Sequence, residues 1–413
     1  MKCFFSAEIL FLFGLGFLPF VFMHSDKIII GFDAKRALCN STGLGSYSRT
    51  LINDLVLAGR AEQRFAFNLY SPDEGKAELR NQLLKDGNLN FMYPKHKNIK
   101  LWGSLWREKY VVNTLKQDGV RIFHGLSGQL PAGIKGKGGI KSIVTIHDVI
   151  FLIHPEFYNP VDVCIYRQKF FSALKQADKI IAVSQCTKRD ILRFGNMNAS
   201  KPIVTEDKIE VIYQSYNKVY DNAVSREKQR ELKQRLSLPD KFILNVGTIE
   251  RRKNILLGVK ALNGVNKDIH LVIVGRSTPY AKEIETYAQK HGLADRVHIY
   301  NNVNNEDLNV IYSLALMFVY PSLYEGFGIP IIEAVAHNLP VIAAKGSCLE
   351  EAAGQSAYYV NACDGKELAD VVNMLCENED KRLLSVNGSK KYIERFKGNN
   401  ITDRLFDIYT HII

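Results

Sequence analysis

The chain of 413 residues is 46% hydrophobic and 23% charged, which is typical of a folded globular protein and excludes a mostly disordered one. Its length accommodates two domains of ordinary size. The net charge of +11 suits partners that carry phosphate or anionic lipid. The basic residues are spread along the chain without a nucleic-acid-binding motif, so we expect no nucleic acid partner. Seven scattered cysteines, with no Cys-x-x-Cys pair, argue against a disulfide framework or a zinc site and fit a reducing cytoplasm.

The first segment, residues 1–22, is dominated by an apolar run that extends to Met23. This run is shorter than the roughly 20 residues of a comfortable membrane span, but it resembles the core of a signal peptide or an anchor. No Ala-x-Ala-like cleavage site follows it. The alternative is a misassigned start site, with translation beginning at Met23. We favour this alternative over a membrane anchor, and both over secretion.

The rest of the chain alternates short apolar runs with helical stretches, which predicts parallel sheets covered by helices. The predicted first domain, residues 23–220, has strands at Ile28–Phe32, Ala66–Tyr70, Ile122–His124, Ser142–Ile146, Lys179–Val183 and Val211–Tyr213. The predicted second domain, residues 221–400, has strands at Phe242–Val246, Leu271–Val274, Val297–Tyr300, Met317–Tyr320, Val341–Ala343 and Ala357–Val360. A terminal helix occupies residues 401–413. The predicted fold class is α/β, with two Rossmann-like, doubly wound parallel-sheet domains that face one cleft.

One glycine-rich loop of the first domain is a candidate phosphate site. Gly43 and Gly45 lie between the first strand and an amphipathic helix that begins near Tyr47. The free N–H groups of a helix N-terminus favour phosphate. Because a single Gly-x-Gly is weak evidence, a purely structural turn is the alternative.

Polar residues also follow the strands of the first domain. His147 and Asp148 end an apolar strand, at the sheet edge where ligands of such folds bind. The alternative is a capping pair without a ligand. His124 ends another strand and is a further candidate site residue, and Ser184 is a weaker candidate of the same kind.

The second domain opens with a strand that leads into a basic cluster. Gly247 ends the strand and allows the backbone to approach a ligand closely, and Arg252 and Lys253 follow. An arginine fork and a lysine point charge together can neutralise a diphosphate. A solvated basic loop is the alternative, but the position directly after a strand favours a phosphate site.

The segment from Pro321 to Glu333 is the most informative of the chain. Pro321 ends a buried strand, Gly326 and Gly328 allow a tight turn, and Pro330 suits the first turn of a helix. A strand, a glycine turn and a helix N-terminus form an anion site. Glu325 and Glu333 flank this turn and can accept hydrogen bonds from ligand hydroxyls, so the segment suits a ligand with both phosphate and sugar, such as a nucleotide-sugar. A plain strand–loop–helix, common in α/β proteins, is the alternative.

This segment resembles the Glu-x7-Glu signature of retaining glycosyltransferases of family 4, which have the two-domain GT-B fold. The resemblance implies that Glu325 lies by the donor sugar and that Glu333 binds the nucleotide ribose. It implies that the turn Gly326-Phe327-Gly328 lies against the donor sugar and phosphates. It further implies that the segment around Val303 cups the base, although this chain has asparagines where a glycine is common, which leaves the base open.

The resemblance assigns roles to the other candidates as well. Arg252 and Lys253 would hold the donor phosphates, and His147 would contact the donor sugar from the acceptor side. His124 would line the acceptor pocket. The loop with Gly43 and Gly45 would face both acceptor and donor phosphates. The terminal helix would pack back on the first domain.

The mechanism that the resemblance implies is metal-independent, since no Asp-x-Asp motif is present. Fixed positive groups would stabilise the leaving diphosphate, and that phosphate would help to deprotonate the acceptor hydroxyl in a front-side attack. Likeness to bacterial surface-polysaccharide mannosyltransferases suggests GDP-mannose as donor and a glycan or lipid-linked glycan as acceptor. We expect no cofactor beyond this donor substrate, and a cytoplasmic location with peripheral contact to an anionic inner membrane face.

Two alternatives remain open from the sequence. One is another GT-B enzyme, such as a nucleotide-sugar epimerase or a sucrose- or trehalose-type synthase. The other is a non-catalytic protein that binds nucleotide-sugar and serves as a partner in an assembly. Release of free sugar without an acceptor would indicate the epimerase, and absence of turnover would indicate the binding protein.

Overall fold

The computed structural model describes residues 27–94, 103, 105–136, 138–197 and 200–413. The apolar segment of residues 1–22 lies outside the described residues. The described chain contains two parallel sheets, one built mainly from the first half of the sequence and the other from the second half. Among these residues, no helix combines the length and the apolar character that crossing a membrane requires.

The first sheet has seven described strands in the order β3-β2-β1-β4-β5-β6-β7, and every neighbouring pair is parallel. Its strands are β1 Ile28–Asp33, β2 Phe65–Tyr70, β3 Leu89–Met92, β4 Val120–Gly125, β5 Lys141–Ile146, β6 Lys179–Ala182 and β7 Ile209–Val211. The helices of this half are α1 Lys35–Cys39, α2 Gly43–Glu62, α3 Ala77–Arg80, α4 Val111–Gln117, α5 Ile150–Ile153, α6 Pro160–Gln176 and α7 Gln185–Asn196. A π-helical turn, Trp106–Tyr110, precedes α4.

The second sheet has six described strands in the order β10-β9-β8-β11-β12-β13, again all parallel. Its strands are β8 Phe242–Val246, β9 His270–Val274, β10 Val297–Tyr300, β11 Met317–Tyr320, β12 Val341–Ala344 and β13 Tyr358–Val360. The helices of this half are α8 Arg226–Leu236, α9 Ile255–Ala261, α10 Tyr280–Lys290, α11 Asn305–Leu314, α12 Ile329–Ala336, α13 Leu349–Ala353, α14 Gly365–Glu377, α15 Glu379–Tyr392 and α16 Gly398–Ile412.

The predicted strands are present, and the ends that differ are shifted by one or two residues. Strands β8, β10 and β11 begin and end where the sequence predicts. The largest shift is at β7, which ends at Val211 where the prediction began. The prediction omitted β3, a four-residue edge strand with only Leu89 fully buried. An edge strand this short has too few apolar positions to show an alternating pattern.

Each sheet reverses its strand order at one point, and this point creates a crevice. In the first sheet β1 lies between β2 and β4, and in the second sheet β8 lies between β9 and β11. The loops that follow these strands leave in opposite directions, so a crevice opens at the carboxyl ends of the strands. The basic cluster follows β8 and the turn with Glu325 follows β11, which places both at the crevice of the second sheet.

The C-terminal helix α16 joins the core of the first half. Phe406 stacks on Phe65 of β2 with ring centroids 4.7 Å apart and planes 4° from parallel. Leu405 and Tyr409 are also buried in the core that contains α2 and the first sheet. The chain therefore leaves the first sheet, builds the second and returns, which links the two halves at a second place.

Candidate active site

The basic cluster forms a short 3-10 turn, Arg251–Lys253, at the carboxyl end of β8. Gly247 has φ +150°, and a Cβ added at Gly275 would lie 1.9 Å from the carbonyl oxygen of Gly247. The ends of β8 and β9 are therefore as close as glycine allows. Asn254, with φ 52°, closes the turn and donates its side-chain amide to the carbonyl oxygens of Pro321 and Ala362. The turn is thus fixed to the loop after β11.

Two cations of this turn converge on one buried carboxylate. Arg252 Nη1 and Lys253 Nζ each lie 2.6 Å from an oxygen of Glu325, and Lys253 Nζ also donates to the hydroxyl of Tyr320 at 2.6 Å. Burial alone raises the pKa of Glu325, but the two cations outweigh it and bring the pKa down to about 2. Glu325 is therefore ionised, and a second carboxylate, that of Glu250, lies 2.6 Å from Nη2 of Arg252.

The turn after Glu325 is held through its carbonyl groups. The thiol of Cys348 lies 3.1 Å from the carbonyl oxygen of Glu325 and 2.9 Å from that of Phe327. The carbonyl oxygen of Gly326 accepts hydrogen bonds from the first half of the chain. Gly328 has φ +125°, which only glycine adopts readily.

The backbone N–H groups of the same turn are left open. Those of Gly326, Phe327 and Gly328 have no acceptor within the described chain. They immediately precede α12, whose N-terminus adds the favourable end of a helix dipole. Open N–H groups at a helix N-terminus are what an anion site requires, and this turn directly follows Glu325, which Arg252 and Lys253 contact.

His147 faces this turn from the end of β5. Its Nε2 donates to the carbonyl oxygen of Leu126 at 2.8 Å, and its Nδ1 pairs with the side-chain nitrogen of Gln214 at 2.8 Å. Burial lowers the pKa of His147 to about 4, so the ring is neutral. Because both ring nitrogens already have partners, the structure favours a contact role for His147 over proton transfer.

The two halves of the chain lie in close contact where Gly326 meets the end of β5. A Cβ added at Gly326 would lie 1.8 Å from the carbonyl oxygen of His147 and 3.0 Å from Cβ of Asp148. Burial raises the pKa of Asp148, whose carboxylate accepts the N–H of Ile150 at 3.0 Å. Gly326 is therefore required by contact with the first half of the chain.

Glu333 lies on α12, C-terminal to Glu325 in the chain, and its surroundings differ from those of Glu325. It is 8% exposed, and the hydroxyl of Tyr312 donates to it at 2.9 Å. Burial raises the pKa of Glu333 to about 7, because no cation accompanies it. Val303 is half-buried in the loop between β10 and α11, and it packs against the same core as α12.

The remaining candidate residues of the first half differ in their surroundings. Gly43 is the first residue of α2 with open space around it, as an approaching ligand requires. A Cβ on Gly45 would lie 1.8 Å from the carbonyl oxygen of Asn40, which gives Gly45 a packing reason. His124 does not line the cleft: it is fully buried and bonds to Tyr409 of α16 and to Thr145, each at 2.8 Å.

The cleft edge also holds polar groups that the sequence analysis missed. Four buried serine hydroxyls have no hydrogen-bond partner in the described part of the chain, and each follows the carboxyl end of a strand: Ser71, Ser127, Ser322 and Ser347. Buried hydroxyls in native proteins seldom lack a hydrogen-bond partner unless a ligand or a water molecule provides one. Single serines after strands carry no distinctive sequence pattern, so only the fold reveals that two of them lie at the carboxyl edge of each sheet.

Comparison with known proteins agrees with this geometry. Residues 52–217 match the family model "Glycosyltransferase Family 4", and residues 226–391 match the model "Glycosyl transferases group 1". The O-antigen chain mannosyltransferase RfbU of Salmonella typhimurium is 28% identical over 62% of this chain and 66% of that protein. The O-antigen chain mannosyltransferase B of Escherichia coli is 23% identical over 89% of this chain and 96% of that protein. The chain thus spans just under two thirds of RfbU and nearly all of mannosyltransferase B.

Solved structures share the fold. Anabaena Alr3699/HepE in complex with UDP and glucose superposes with a TM-score of 0.71, at 18% identity, over 93% of this chain and all of that one. The lipopolysaccharide glycosyltransferase WaaG superposes with a TM-score of 0.67, at 15% identity, over 92% of this chain and 99% of that one. The two parallel-sheet domains and the two family models together show that the chain is a family 4 glycosyltransferase with the GT-B fold.

Proposed function

We propose that this glycosyltransferase transfers mannose from GDP-mannose, with retention of the anomeric configuration, to a glycan or lipid-linked glycan acceptor in surface polysaccharide synthesis. The observation that carries the proposal is the cluster of Arg252, Lys253 and Glu325 beside open backbone N–H groups, opposite His147. The choice of mannose is supported by similarity to the O-antigen chain mannosyltransferases RfbU and B.

The charges of the cluster suit a diphosphate leaving group. Arg252 and Lys253 place two fixed cations in this site, with Glu325 between them and Glu250 on the outer side of Arg252. The turn Gly326-Phe327-Gly328, here called the donor turn, adds the favourable dipoles of its open N–H groups. A diphosphate that arrives there gains fixed positive partners, which become more favourable as the bond to the sugar breaks. We propose that these groups stabilise the leaving GDP and that no metal ion takes part.

Glu325 suits sugar binding better than nucleophilic attack. Both of its oxygens lie 2.6 Å from a cation, and its pKa of about 2 makes it a weak base. We therefore assign it to positioning hydroxyls of the donor sugar. Glu333, with no cation beside it, is assigned to the ribose hydroxyls, and Val303 to the base. The proton of the acceptor hydroxyl would pass to the leaving phosphate.

The exposed part of α6 supports contact with a membrane. Val161 is 66% exposed, Ile165 40% and Tyr166 37%, which is unusual for large apolar side chains on one helix. The segment that leads into this helix lies close to the donor turn, since the ring of His154, which precedes the helix, lies 5.5 Å from that of Tyr324. A lipid-linked acceptor held at a membrane on this side would reach the cleft. The expected test is flotation with anionic vesicles, which Ile165→Asp should weaken.

The test of the function is an incubation of purified protein with a panel of GDP-, UDP- and ADP-sugars and extracted lipid-linked glycan. We expect transfer from GDP-mannose only, with an α-linked product by NMR and no transfer by the Glu325→Gln variant. Transfer from another donor would correct the sugar. Free sugar in place of product would indicate an epimerase or hydrolase, and no turnover with any donor would overturn the proposal.

A further inference from the structure

The N-terminus of α7 makes most of the polar contacts between the two halves at the donor turn. The backbone N–H groups of Gln185 and Cys186 donate to the two carboxylate oxygens of Glu351 at 2.7 and 2.8 Å. Glu351 lies on α13, in the second half, so a carboxylate from one domain caps a helix of the other. Two charge-assisted hydrogen bonds and the positive end of a helix dipole make this a strong contact.

The same turn of α7 holds the donor turn by its backbone. The hydroxyl of Ser184 donates to the carbonyl oxygen of Gly326 at 2.7 Å and accepts the N–H of Thr187 at 2.9 Å. The hydroxyl of Thr187 lies 3.1 Å from the same carbonyl oxygen. Both side chains are at most 1% exposed. Because a trans peptide is rigid, fixing the carbonyl of Gly326 also fixes the N–H of Phe327.

A third contact lies beside these two. The hydroxyl of Tyr324, one residue before Glu325, donates to the buried carboxylate of Asp190 on α7 at 2.7 Å. The rings of Tyr213 and Phe327 stack with centroids 5.7 Å apart, and the Tyr213 hydroxyl lies 3.4 Å from Glu351. The contacts therefore surround the donor turn on its first-domain side.

We propose that Glu351, Ser184 and Thr187 form a latch between the domains, and that Glu351 is a positioning residue for transfer. When the latch is closed, α7 orients the donor turn and the cleft is complete; when it is open, the donor turn loses that support. Closing the domains and ordering the donor turn are then one event. Glu351 acts through α7 and touches no reacting group. This inference rests on the proposed function only in taking the turn as the donor site.

The test compares Glu351→Ala with the matched control Glu350→Ala. Glu350 is the exposed neighbour on the same helix, and it accepts an N–H from Gly346 within its own domain. We expect Glu351→Ala to lower kcat/KM for transfer about tenfold, as loss of a charge-assisted hydrogen bond does. We also expect it to increase the share of donor lost to hydrolysis, because an open cleft admits water. Affinity for GDP should stay within about twofold of the wild type, since Arg252 and Lys253 are untouched.

A second variant and a readout without turnover keep the test decisive. Tyr324→Phe removes only the hydroxyl that reaches Asp190, and it should show the same changes in smaller measure. Small-angle scattering should give a larger radius of gyration for Glu351→Ala than for Glu350→Ala. Equal scattering and equal kinetics for these two variants would overturn the latch. If the wild type transfers no sugar, the proposed function fails while the scattering still decides the latch.

Discussion

A single methyl group at Gly326 should disable the enzyme without unfolding it. An added Cβ would lie 1.8 Å from the carbonyl oxygen and 2.8 Å from the carbonyl carbon of His147. Gly326 has no positive φ, so alanine is compatible with its backbone conformation. The conflict in Gly326→Ala is therefore between the two domains, and separating the domains relieves it.

The expected size of the effect follows from the geometry. The His147 oxygen must retreat by roughly 1.5 Å to reach ordinary contact distance, and overpacking of this kind costs about 1–3 kcal/mol. A cost of that size lowers the closed population roughly 5- to 150-fold. We expect kcat/KM for transfer to fall by the same factor, because transfer needs the closed cleft.

The assay is initial-rate kinetics of Gly326→Ala with Gly87→Ala as control. Gly87 is exposed in a loop, and an added Cβ meets nothing within 4 Å there. GDP affinity, measured by calorimetry, should be close to wild type in both variants, since Arg252 and Lys253, the proposed phosphate ligands, belong to the second domain alone. A Gly326→Ala enzyme with wild-type kcat/KM would show that transfer does not require this contact and would refute the reasoning.

Three further results are expected. Lys253→Ala should lower donor kcat/KM roughly 10- to 100-fold through loss of a charge-assisted contact, and wild-type kinetics would remove Lys253 from the site. The pKa of Glu333 is raised from 4.5 to about 7, so its contribution to stability is full below pH 4.5 and is lost as the pH rises through 7. The melting temperature should therefore fall less between pH 5 and 8 in Glu333→Gln than in the wild type. EDTA should leave turnover unchanged, and loss restored by Mg²⁺ would contradict the metal-independent mechanism.

The elements of this fold could be predicted because each depends on neighbouring residues. Apolar runs such as Phe242–Val246 and Met317–Tyr320 are fully buried strands of a parallel sheet, and buried strands are continuous apolar segments in sequence. The donor turn could be recognised for the same reason, since its glycines and glutamates are contiguous. The strand β3 could not, because four residues at a sheet edge have little pattern.

The partners of those residues depend on the tertiary structure. The sequence placed Arg252, Lys253 and Glu325 at strand ends, but only the adjacency of β8 and β11 joins them in one buried cluster. His124 looked like a site residue because it ends a strand, and packing of the terminal helix made it a buried structural group.

The sequence by itself determined the strands, the glycine turns and the kind of chemistry, because these follow from local patterns of side-chain size and polarity. The tertiary structure decided which groups meet across the cleft. Glu351 and Cys186 are 165 residues apart in sequence, and Ser184 and Gly326 are 142 apart. Contacts between residues so distant depend on how two completed domains pack, and no local pattern in the chain records that.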